Sequence, residues 1–147
     1  MRNATCCLLV VLFGSWSSSL GQNAPKFTTP QIVATFQRLG QTAEIPPTTI
    51  YTPKNWATFR VSIVMVETVG TKNQATWAGR IQFTDGAGEN SGIPFEAQLD
   101  VFSRTTAVAE FPIRAKAGEP LIFSVVPDGG DQRGSKYNVW VVVEQLM

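Results

Sequence analysis

Apolar and polar residues alternate one by one along most of the chain. Phe59, Val61, Ile63 and Met65 fall on one side of such a run, with Arg60 and Ser62 on the other. Trp77, Ile81 and Phe83 repeat the pattern against Arg80, Gln82 and Thr84. Phe95, Ala97, Leu99 and Val101 do so against Glu96, Gln98 and Asp100. Three later runs follow: Ala109 to Ala115, Leu121 to Val125, and Tyr137 to Val143. A period of two places successive side chains on opposite faces of a strand, so these are half-buried strands.

Two earlier stretches carry a weaker signal. Ile32 to Leu39 fits either a strand or two helical turns; Val33, Thr35 and Phe36 favour the strand, since β-branched and aromatic side chains pack on a pleat. Thr48 to Thr52 reads as a short strand closed by Pro46-Pro47 and Pro53. Turn residues separate the runs at Gly70–Asn73, Asp85–Gly92, Lys116–Pro120 and Pro127–Gly134. No stretch shows the helical spacing of apolar residues over a helix's length. The expectation is an all-β fold: a single antiparallel β-sandwich or jelly roll of about eight strands over residues 32–147, with 22–31 a flexible lead-in.

Residues 1–21 read differently. Arg2 precedes the nine-residue apolar run Cys6 to Gly14, and small residues follow, with Ser19 and Gly21 at the spacing of a secretory cleavage site. The apolar run is shorter than the ~18–20 residues of a spanning helix. It is expected to be a signal peptide cut before Gln22, which makes the protein secreted or periplasmic, with no membrane insertion after removal. Both cysteines, Cys6 and Cys7, leave with it. So does the only glycosylation sequon, Asn3-Ala4-Thr5. An exported domain with neither disulfide nor sequon has a bacterial character.

Composition then removes most chemistry. There is no histidine in the 147 residues. Imidazole-based acyl transfer and most zinc, copper and iron sites are therefore excluded. Net charge is +1, with no Lys/Arg run, so nucleic acid is not an expected partner. Glu96 and Asp100 share a strand face but stand ~13 Å apart, too far for glycoside hydrolysis. Asp85, Glu89 and Asn90 in one loop, and Asp128 and Asp131 in another, match no calcium-loop pattern and read as turn-stabilising residues. Asp128-Gly129-Gly130-Asp131 precedes a strand and carries two carboxylates, which a phosphate would avoid. No catalytic residue, metal site or cofactor is expected.

Binding residues are easier to nominate. Tyr137 to Val143 is apolar on both faces, because Trp140 and Val142 oppose Val139, Val141 and Val143. Trp140 and Val142 are candidates for an interface, where aromatic anchors are enriched. Tyr51 and Trp56, near a loop, are candidates for stacking on a sugar ring. Trp77 continues a core series and is expected inside.

The run Ile45-Pro46-Pro47-Thr48-Thr49-Ile50-Tyr51-Thr52-Pro53, followed by Ala57-Thr58-Phe59-Arg60-Val61-Ser62 and the ending Tyr137 to Leu146, resembles small secreted bacterial β-sandwich proteins of unknown function. More remotely, the proline-bounded strand leading into an aromatic-x-Val-Ser strand is similar to C1q/TNF-like jelly rolls, which typically trimerise. Those have a glycine before the aromatic, where this chain has Asn55-Trp56-Ala57-Thr58. The expected function is binding or assembly without catalysis, through a protein partner or self-association. The alternative is a carbohydrate-binding module using Tyr51 and Trp56, with a glycan as partner.

Overall fold

The structure is a computed structural model and describes residues 29–69, 75–88, 90–99 and 106–146; the side chains of Ala75, Asn90, Ser91 and Ile93–Leu99 are outside that description. The expected signal peptide, most of the lead-in and the turn at Gly70–Asn73 lie outside the described residues.

Among the described residues eight strands follow in order: β1 (Gln31–Gln41), β2 (Ile45–Tyr51), β3 (Ala57–Val69), β4 (Ala75–Thr84), β5 (Asn90–Leu99), β6 (Thr106–Ala115), β7 (Leu121–Gly129) and β8 (Lys136–Gln145). They form two four-stranded sheets, β1-β8-β3-β6 and β2-β7-β4-β5. All pairings are antiparallel. The pairs β1/β8, β2/β7, β3/β6 and β4/β5 nest inside one another. The chain is thus one long eight-stranded hairpin rolled into two layers, which is the jelly-roll arrangement.

Alternation explains the two layers. Along β3 the odd residues from Ala57 to Glu67 are buried and the even ones half-buried. β8 repeats this from Tyr137 to Val143. Facing them, β4 contributes Trp77, Ile81 and Phe83, and β7 contributes Leu121, Phe123 and Val125. Phe36 of β1 meets Phe123 edge-on, with ring centroids 5.5 Å apart, and ties the first strand to the opposite sheet. Ile32–Leu39 therefore resolves as a strand. Its helical alternative would break the ladder with β8, in which Phe36 pairs with Val141.

Prolines mark the edges. β2, β5 and β6 are edge strands and carry Pro46-Pro47, Pro94 and Pro112. Proline has no N–H to donate, so it is tolerated where a strand has a neighbour on one side only, and it blunts edge-to-edge pairing. β2 runs through Pro46-Pro47 instead of starting after them, because it is an edge strand. The register slips there, with Ile45 opposite Val125 and Thr48 opposite Phe123. Pro127 obeys the same logic: it pairs with Trp77 on one side, beyond the reach of β2, which ends its pairing at Val125.

Polar groups enter the core at one end of the sandwich. Tyr137 is fully buried; its hydroxyl donates to the Ala43 carbonyl at 2.8 Å, and its ring lies 4.8 Å from that of Trp77. Trp77 is inside, as its series implies. Among the described residues its buried Nε1 has no hydrogen-bond partner. Burial pushes the Tyr137 phenol well above its ordinary value, and the negative charge of Glu44 adds to the shift. The folded state therefore keeps a proton that the unfolded chain loses near pH 10. Stability from this group is complete below that pH and drains away as pH rises above it. The melting temperature should fall from pH 9 to pH 11 with a component that Tyr137→Phe removes. The substitution itself should cost about 1 kcal/mol at neutral pH through the lost hydrogen bond. Thermal melts of both proteins across that range check this.

Candidate functional site

The outward residues of β1-β8-β3-β6 form rows across the sheet. In one row Gln37, Trp140, Val64 and Val108 stand side by side. The next row is Thr35, Val142, Ser62 and Glu110. A third holds Ile32, Glu144, Arg60 and Pro112. In an antiparallel sheet with one wet face these positions are normally polar. Here Trp140, Val142, Val64, Val66 and Val108 make an apolar patch spanning three adjacent strands. Val108 is 66% exposed and Ile32 63%. On the other sheet, β4 turns Arg80, Gln82 and Thr84 outward, the ordinary polar pattern.

A polar row borders the patch. Arg60 donates through Nε to Glu144 and stands 3.8 Å from Glu110 through Nη1. Ser62 Oγ donates to Glu110 at 3.3 Å. Glu144 offsets the Arg60 charge and Glu110 leaves one negative charge over, and the guanidinium is held above its ordinary value mainly by its hydrogen bond to Glu144. The surface is thus apolar in the middle with an ion-paired polar margin, the arrangement of a hydrophobic centre with a polar rim.

Trp140 and Val142 are brought together on this face, both half-buried by their neighbours on β1 and β3. Their partners Val64, Val66 and Val108 were not singled out from the sequence. The signal was present in Val64 and Val66, which break the alternation of β3 as Trp140 and Val142 break that of β8.

Tyr51 and Trp56 lie at one end of the sandwich, near the connections β2–β3, β4–β5 and β6–β7. Backbone bonds join these connections: Gly118 N–H donates to Pro53 O at 2.8 Å, and Lys116 N–H to Thr84 O at 2.9 Å. Tyr51 packs edge-on against the core residue Phe59, with centroids 5.6 Å apart. Trp56 stays 49% exposed. The guanidinium of Arg114, at the end of β6, lies 4.0 Å from its ring centroid. Among the described residues no ring contact joins Tyr51 to Trp56.

Gly86 fixes the indole at its Nε1 edge. A Cβ there would sit 2.6 Å from Trp56 Nε1, so only glycine leaves room. The turn that carries it is held locally: Ala87 N–H donates to Asp85 Oδ1 at 2.8 Å, Gly88 N–H donates to Asp85 O at 3.1 Å, and Gly88 takes a φ of 88°. Asp131 plays the corresponding part in the β7–β8 connection, accepting from Arg133 N–H at 3.1 Å and from its guanidinium.

The solved structure of Eiger TNF from S. frugiperda is similar, with a TM-score of 0.45 and 9% identity, over 78% of this chain and 86% of that one. No family model matches the chain and no curated protein does.

Replacing Gly86 by Ala should push Trp56 off Arg114 without unfolding the domain. The expected stability loss is under about 1 kcal/mol, the size of an exposed cation–π contact. In a proton–nitrogen correlation spectrum the Trp56 indole resonance should shift while those of Trp77 and Trp140 hold. An unmoved Trp56 signal would contradict the packing described.

Proposed function

We propose that this chain is an exported, non-enzymatic assembly domain that associates with copies of itself through the outer face of β1-β8-β3-β6. The apolar row Trp140–Val64–Val108 carries this reading, because three neighbouring strands abandon the polar pattern at the same level. Exposed apolar surface of this contiguity marks interaction sites in folded domains. A second copy suits the face better than a charged partner does. Arg60 is shared between Glu144 and Glu110, so this margin carries a net charge of only about −1 and offers little to steer a strongly acidic or basic protein. Export is supported by residues 1–21. The lack of catalysis is supported by a chain without histidine and with no cysteine after Cys7.

Val108→Glu tests the reading at little cost to folding, since the side chain is already 66% exposed. Sedimentation equilibrium of the chain from Gln22 onward should give a defined oligomer at micromolar concentration. The variant should sediment as a monomer with an unchanged melting temperature. A monomeric parent protein, or a variant with the parent's mass, would overturn the reading.

A further inference from the structure

Independently of self-association, we infer that the depression between Trp56 and the β4–β5 turn is a binding site for a neutral saccharide. Its volume is about 440 Å³, and Trp56, Asp85, Gly86, Ala87 and Arg114 line it. Ligand sites for small molecules start at about this size.

Three features make it a built site. The indole is oriented from two directions, by Arg114 above its ring and by the close approach of Gly86 to its Nε1. Yet half its surface stays open to solvent, which is unusual for so large an apolar side chain held in place. The guanidinium that covers part of it makes no salt bridge to a carboxylate among the described residues.

Polarity selects the ligand class. An anion would meet the donors of Arg114 but also the carboxylate of Asp85. A cation would meet the reverse. A hydroxyl-rich ring both donates and accepts, so it suits Arg114 and Asp85 together, and its C–H face suits the indole. Tyr51 is not part of this site, because its ring is engaged with Phe59.

A glycan array carrying neutral gluco-, galacto- and manno-oligosaccharides beside uronic-acid and sulfated ones tests this on the chain from Gln22 onward. Binding to at least one neutral oligosaccharide is expected, and titration calorimetry with that compound should then compare variants. Trp56→Ala should weaken binding at least about tenfold, as should Gly86→Val, which keeps the indole but displaces it. Gly86 has no positive φ, so the valine meets no backbone strain there. Tyr51→Phe should bind like the parent. Melting temperatures verify that each variant is folded. Absence of binding to every neutral saccharide, binding confined to the acidic ones, or full affinity in folded Trp56→Ala would each overturn the assignment.

Discussion

The two sheets are held together by burial of one face of each against the other, and this packing sets what every other residue is free to do. β3 and β8 supply the inner layer of one sheet with alternate residues, and β4 and β7 supply the other. A one-residue slip in any of these ladders would exchange buried for exposed side chains along the whole strand. The register is therefore fixed, and with it the identity of the residues that face outward. The apolar row of Trp140, Val64 and Val108 is a consequence of that register. These three residues cannot be turned inward without expelling Val139, Val141, Ile63 and Ala109 from the core side.

The same constraint separates the two surfaces of interest. The apolar patch occupies a sheet face, where main-chain hydrogen bonds hold the positions rigidly. The Trp56 site occupies the end of the sandwich, where three connections meet and side chains hold the geometry. Arg114 belongs to the patch-bearing sheet by its strand, yet it reaches over Trp56 at the sheet's end. The surfaces are thus neighbours on one scaffold with different chemistry: one large, apolar and flat, the other small, aromatic and polar.

Much of the fold was legible in the sequence because alternation is a local signal. The runs 59–65, 77–83 and 137–143 announce their strands and their buried side. Pro46-Pro47 misled as a strand boundary, because whether proline is tolerated depends on whether the strand has a neighbour, and that is a property of the sheet. Trp140 and Val142 were legible as an anomaly of one strand. The row they complete was not, since Val64 pairs with Trp140 from 76 positions away and Val108 joins the row through Val64, 44 positions away. The stacking of Arg114 on Trp56 and the need for glycine at position 86 are contacts between distant connections, and no local pattern encodes them.

The most direct test of the central claim is hydroxyl-radical footprinting of Trp140 as a function of protein concentration, with Trp56 as the internal control. If the outer face of β1-β8-β3-β6 closes against a second copy, Trp140 should become protected as concentration rises while Trp56 keeps its reactivity. Oxidation of Trp140 that is independent of concentration, under conditions where Trp56 reports normally, would contradict the account.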